Sequence, residues 1–77
     1  MLLEQISMFS RIAKEQSISK AAQAIHISQP ALSQQMQRLE EELGVKLFER
    51  SNRGIILTRA GEVMQKYSEQ FLETYSN

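Results

Sequence analysis

The residues from Ile18 to Gly44, ISKAAQAIHISQPALSQQMQRLEEELG, leave this chain few choices of fold. They read as two helices joined by a tight turn. In the first, Ala21, Ala22 and Ile25 fall at helical spacing, and the pattern breaks at His26-Ile27-Ser28. Ser28 is placed to cap the second helix, because its hydroxyl can accept a free backbone N–H of the next turn. Pro30 follows just inside, where its missing N–H is not needed and its fixed φ suits a helix start. Gly44 is the expected stop.

The second helix sorts its side chains sharply. Leu32, Met36, Leu39 and Leu43 follow a 4-3-4 spacing and stack on one face. Pro30, Ser33, Gln34 and Gln37 fall on the opposite face, toward the N-terminal end. No Lys or Glu stands between Lys20 and Arg38, although these are the usual occupants of a merely wetted helix face. Gln offers a donor and an acceptor side by side to an adenine edge, and Ser serves in either role. This face therefore has the chemistry of base reading in a DNA major groove.

The remaining segments complete a small body around this pair. Leu2, Ile6, Phe9 and Ala13 form one narrow stripe, flanked by Leu3 and Ile12, and predict a first helix over 2–15. Gln16-Ser17 breaks that pattern, and Ser19 is expected to cap the next helix. After Gly44, the run Val45 to Arg50 leads into Ser51-Asn52-Arg53-Gly54 and then Ile55-Ile56-Leu57. Two short apolar runs around a polar turn predict a β-hairpin, too short to stand without helices to pack on. A hairpin after a helix-turn-helix is a wing. Arg53 at its tip suits a narrow minor groove, and suits an ordinary solvated turn equally well.

Thr58 is expected to cap the last helix, with Gly61 in its first turn. Ala60, Met64, Tyr67, Phe71 and Tyr75 follow a 4-3-4-4 spacing that Val63 and Leu72 widen. The stretch from Ala60 to Tyr67 can lie on the core. Phe71, Leu72 and Tyr75 extend past what so small a body covers, which leaves a patch seeking a partner. Two-fold pairing of such helices would join two reading heads on one DNA.

Composition narrows the function classes. Seventy-seven residues make one domain with a small core, so stability of about a few kcal/mol is expected. The chain has no cysteine and no aspartate, and His26 is its single histidine, so neither a metal site nor a cofactor motif is legible and His26 reads as a turn residue. No glycine-rich phosphate loop or catalytic constellation is present, which sets an enzyme aside. The formal charge of zero speaks against phosphate binding and favours a protein-interaction module. Its distribution argues the other way. Residues 16–39 carry Lys20 and Arg38 without an acid, and residues 43–61 carry Lys46, Arg50, Arg53 and Arg59 against Glu49 alone. The acids gather in Glu40-Glu41-Glu42, which reads as wetted surface, and at Glu62, Glu69 and Glu73. Nothing reads as a signal peptide and no apolar run approaches a membrane span, so a cytoplasmic protein without a membrane partner is expected.

Taken in register, these motifs resemble the N-terminal DNA-binding domain of LysR-type transcriptional regulators over essentially the whole chain. The resemblance is carried by Phe9, Ser19-Lys20-Ala21-Ala22, Ile27-Ser28-Gln29-Pro30-Ala31-Leu32-Ser33, Leu39-Glu40-Glu41-Glu42-Leu43-Gly44, Leu47-Phe48-Glu49-Arg50 and Leu57-Thr58-Arg59-Ala60-Gly61. It implies a mainly α fold, a winged helix-turn-helix with a three-helix core and a small β-hairpin wing, followed by a long linker helix. The divisions are then 1–57 for the DNA-binding domain and 58–77 for the linker and dimerisation helix. For DNA contact it points to Ser28, Gln29, Pro30, Ser33, Gln34, Gln37, Arg50, Arg53 and Thr58, with Ser28, Arg50 and Thr58 on phosphates. For dimerisation it points to Met64, Tyr67, Phe71, Leu72 and Tyr75. Gln34 and Gln37 stand where many members carry Arg or Lys. The implied partners are an operator in double-stranded DNA and a second copy of the chain. Family members usually continue into a domain that senses a small-molecule effector, so this chain looks like the DNA-binding piece of a longer regulator. Contacts with RNA polymerase would belong to that full-length protein.

Overall fold

A computed structural model describes the backbone of residues 2–76 and the side chains of residues 2–74. In chain order it contains α1 (Leu2–Glu15), α2 (Ile18–Ala24), α3 (Gln29–Leu43), β1 (Phe48–Ser51), β2 (Gly54–Leu57) and α4 (Arg59–Ser76). This is the expected mainly helical winged helix-turn-helix with a long last helix.

The helix α1 occupies the predicted span but is rotated from the predicted stripe. Gln5, Phe9, Ile12 and Ala13 are buried, while Leu2 is exposed and Ile6 only half-buried. Turning the Phe9–Ile12 edge inward carries Leu2 toward solvent and brings Gln5 in. The buried amide of Gln5 is accommodated because its Nε2 donates to Gln35 Oε1 at 3.4 Å, linking α1 to α3.

The cap of α2 is Ser17, not Ser19. Gln16 takes a left-handed φ of 56° that ends α1 at once, and Ser17, in extended conformation, accepts from Lys20 N at 3.1 Å. Ser19 is exposed within the first turn of the helix. The turn after α2 places His26 at φ 62°, exposed to solvent. In α3, Ser28 Oγ accepts from Ala31 N at 3.2 Å and Pro30 lies in the first turn, as expected. Leu32, Met36 and Leu39 are fully buried, but Leu43 is 40% exposed. Gly44 (φ 76°) turns the chain away there, and Leu47 and Phe48 complete the core in place of Leu43.

The wing is an antiparallel pair with Phe48 opposite Leu57 and Ser51 opposite Gly54, leaving Asn52-Arg53 as its two-residue tip. Its first strand begins later than the apolar run suggested: Val45 and Lys46 are exposed and outside it. The wing is stitched to the α1–α2 turn, because Ile55 N donates to Gln16 O at 3.3 Å. Gly54, at φ 122°, permits this approach, and any Cβ there would collide with the Gln16 carbonyl oxygen.

The helix α4 packs back on α1 further than its sequence suggested. Ala60 and Met64 pack against the core, and Ser68 is buried with its hydroxyl donating to Gln65 O at 3.0 Å. Leu72 shares a groove with Leu3, Met8, Ile25 and Ile27. The apolar stripe therefore splits into two faces. Met64 and Leu72 turn inward, whereas Val63, Tyr67 and Phe71 remain 44%, 60% and 50% exposed. Of the residues expected to dimerise, Tyr67 and Phe71 therefore face outward, whereas Met64 and Leu72 are drawn inward, and the small Ser68 sits where α4 packs on α1. The side chain of Tyr75 lies outside the described residues.

Candidate nucleic-acid interface

Burial of Leu32, Met36 and Leu39 decides what α3 shows to solvent. The opposite side of its first three turns leaves Gln29, Pro30, Gln34 and Gln37 exposed and Ser33 half-buried. Among the described residues, none of the amide groups of Gln29, Gln34 and Gln37 has a hydrogen-bond partner within the molecule. Each keeps a donor and an acceptor for an outside ligand. Ser28 spends only an acceptor lone pair on its cap, so its hydroxyl hydrogen is also free. The helix N-terminus beneath it carries partial positive charge, which suits a phosphate.

The wing brings cations to this face. Arg50 Nη2 donates to Ser33 Oγ at 2.8 Å, so the first wing strand reaches α3 through this side chain. Arg50 separates two recesses. One, of about 510 Å³, is shared with Ser33, Gln37, Lys46 and the acids Glu40 and Glu49, and the other, of about 200 Å³, with Ser17 and Gln29. Ser33 touches the Arg50 guanidinium, and Gln37 and Gln29 each line a recess with Arg50. Arg53 stands apart at the wing tip, exposed, with its backbone N donating to Ser51 Oγ at 3.2 Å. Lys20, Arg38, Lys46 and Arg59 are exposed as well.

Thr58 caps α4 as expected, but its hydroxyl is not free for the phosphate contact that was also expected of it. Its hydroxyl accepts from Gly61 N at 3.0 Å as the cap of α4 and donates to Lys46 O at 2.6 Å. A hydroxyl has one hydrogen, and this one is already committed to the fold rather than available to a phosphate. Glu40 is the residue that sequence reasoning missed. Although read as part of a wetted acidic run, its side chain is only 13% exposed, and its Oε2 accepts from Leu47 N at 2.7 Å. A signal existed in the position of Glu40, one turn before the helix-ending Gly44. The chain reverses there, and the first backbone N–H groups after the reversal need an acceptor.

Comparison with known proteins agrees with this fold. The model of the family described as bacterial regulatory helix-turn-helix protein, lysR family, matches residues 3–62. The chain is 49% identical over 70 residues to a probable RuBisCO transcriptional regulator of Cyanidioschyzon merolae, covering 91% of this chain and 23% of that protein. It is 52% identical over 62 residues to the HTH-type transcriptional regulator BudR of Klebsiella aerogenes, covering 80% of this chain and 43% of that one. It therefore spans less than half the length of either relative. Among solved structures, a CbnR DNA-binding domain in complex with DNA superposes with a TM-score of 0.91 at 41% identity, covering 99% of this chain and 87% of that one. A BenM DNA-binding domain on catB site 1 DNA gives 0.93 at 39% identity, covering 99% and 85%. With sequence and fold in agreement, the chain belongs to the lysR family of bacterial regulatory helix-turn-helix proteins.

Proposed function

We propose that this chain is the operator-reading domain of a cytoplasmic transcriptional regulator, placing α3 in a major groove of double-stranded DNA and the wing against the neighbouring minor groove. The observation that carries this is the Arg50–Ser33 contact of 2.8 Å, which sets a wing cation beside an acid-free, unpartnered amide face. In this reading Gln29, Pro30, Ser33, Gln34 and Gln37 meet base edges or a thymine methyl. Ser28 and Arg50 anchor phosphates and fix register, and Arg53 enters the minor groove. The DNA-bound relatives of similar fold support the assignment.

Two copies act together, paired through the outward face of α4, where Val63, Tyr67 and Phe71 are exposed on a molecule of this size. With two-fold symmetry the operator is a near-palindrome whose half-sites lie about 34 Å, or a multiple, apart. Residues 1–57 then supply the reading head and residues 58–77 the linker. An effector or RNA polymerase would act through the remainder of a longer regulator.

Selection from a randomised duplex pool at two salt concentrations tests this reading. Enrichment of an inverted repeat that weakens with salt is the expected result. Binding without sequence enrichment would leave phosphate affinity alone, and no binding at low salt would favour a protein-interaction module.

A further inference from the structure

The acid-free reading face is flanked by one partly buried acid, and removing that acid should weaken DNA binding rather than strengthen it. Glu40 and Ser33 are seven residues apart on α3, two turns along one face, or about 10 Å. Both hold the same piece of chain. Ser33 Oγ accepts from Arg50 Nη2 at 2.8 Å, and Glu40 Oε2 accepts from Leu47 N at 2.7 Å. Leu47 and Arg50 are three residues apart in extended chain, again about 10 Å. The two spans match, so α3 bonds both the root of the wing at Leu47 and its first strand at Arg50, which limits rotation about either point. We propose that Glu40 is a positioning residue for the wing, holding its root so that Arg53 at its tip meets DNA in register with the reading face of α3.

The root of the wing is bonded from its other side as well. Thr58 N donates to Leu47 O at 3.0 Å, and Gly61 lies so close to Leu47 O that a Cβ would collide with it. Leu47 is thereby held between α3 and the start of α4, and its side chain is buried. Without an acceptor at position 40 its N–H is left without a partner, and the local backbone shifts to find one. The displacement grows toward Asn52-Arg53, the end of the hairpin farthest from the root. The Lys46 Nζ, 4.0 Å from Glu40 Oε1 and on a side chain 76% exposed, adds little to this arrangement.

The proposal rests on the DNA-binding reading and makes a prediction of opposite sign to simple electrostatics. Removing an acid beside a phosphate-binding surface should by charge alone tighten binding. The test measures affinity, by fluorescence anisotropy, for the inverted-repeat duplex that the unmodified chain enriches. Glu40→Ala is expected to bind about three- to tenfold more weakly, whereas Glu40→Gln, which keeps a carbonyl oxygen for Leu47 N, binds at least as well as the unmodified chain. Glu42→Ala, which removes an exposed acid two residues away, should not weaken binding. In a chain already carrying Arg50→Ala and Arg53→Ala, the additional Glu40→Ala change should have no further effect, because no wing cation remains to be misplaced.

Circular dichroism reports the folded fraction of each variant, and Glu40→Met, which keeps the bulk of the side chain, carries the same cycle if Glu40→Ala does not fold. An unchanged or tighter Glu40→Ala complex, an equal loss in Glu40→Gln, or the same fold-loss without the wing arginines would each overturn the proposal while leaving DNA binding standing. Failure of the unmodified chain to bind any duplex would instead overturn the DNA reading itself.

Discussion

The two ends of α3 are built from the same helix for opposite purposes. Toward the C-terminal end, Met36 and Leu39 are fully buried and Glu40 reaches the backbone of Leu47. Toward the N-terminal end, Gln29, Pro30 and Gln34 are exposed, and the one side-chain bond made by Ser33 is to Arg50 of the wing. Toward one end the side chains of Met36, Leu39 and Glu40 have internal partners, whereas toward the other the amides of Gln29 and Gln34 have none. A helix that is all anchor would have nothing left to offer DNA, and one that is all display would have no fixed orientation from which to read. The division of labour along fifteen residues is the design that matters here.

Breaking the anchor end should produce the largest change, and in stability rather than in recognition. Leu39→Ala removes a fully buried side chain from the junction of α3 with the core, for which a loss of about 2–5 kcal/mol is expected in urea denaturation. The fraction that remains folded should select the same half-site. A changed half-site would mean that the two ends of α3 are not separable. Gln29→Ala is the converse. It should relax discrimination at one base pair by about 1–3 kcal/mol. Unfolding midpoints should barely move, since surface substitutions usually change stability by less than about 0.5 kcal/mol. An unaltered operator preference would remove Gln29 from the reading set.

The difference between the ends also explains what the sequence disclosed. The display end was legible because its signal is local. Ser28, Pro30 and the spacing of Leu32, Met36 and Leu39 define cap, start and buried face without reference to anything distant. The wing was legible for the same reason, through the polar turn around Asn52-Arg53-Gly54. The errors fell where a partner far along the chain decides the outcome. Gln5 is buried because Gln35, thirty residues away, receives its amide. Leu43 is displaced from the core by Leu47 and Phe48, and Glu40 is drawn out of an acidic run by a backbone N–H beyond the chain reversal. Periodicity also placed Met64 and Tyr67 on one stripe, whereas the close approach of α4 to α1 admits Ser68 and turns Tyr67 outward. The cap role of Thr58 was legible because Gly61 is three residues on, but the commitment of its hydrogen was not, because the acceptor, Lys46 O, is twelve residues upstream.

Arg50 sharpens the comparison from the side of the wing. Arg50→Ala should weaken binding to all duplexes alike and reduce the slope of log affinity against log salt by about one. It also frees Ser33, so a small change in preference at the base pair that Ser33 meets is expected alongside. A change in preference without a change in slope would make Arg50 an orienting group for Ser33 and not a phosphate ligand.

Ser28 stands at the boundary of the two roles and should give the smallest effect in each. Its oxygen caps α3 by accepting from Ala31 N, while its hydrogen is free to donate to a phosphate. Ser28→Ala loses both functions, and about 1 kcal/mol of stability should go with the cap. Ser28→Asp separates them. A carboxylate caps as well as a hydroxyl and interacts favourably with the helix N-terminus, by about 0.3–1 kcal/mol at an exposed site. It has no hydrogen to donate and repels a phosphate. Thermal unfolding should therefore rank the aspartate variant at or above the unmodified chain and the alanine variant below it. DNA affinity should rank the unmodified chain first, alanine second and aspartate last. Full affinity in the aspartate variant would confine Ser28 to the anchor side of the helix, and the first DNA contact of α3 would then begin at Gln29.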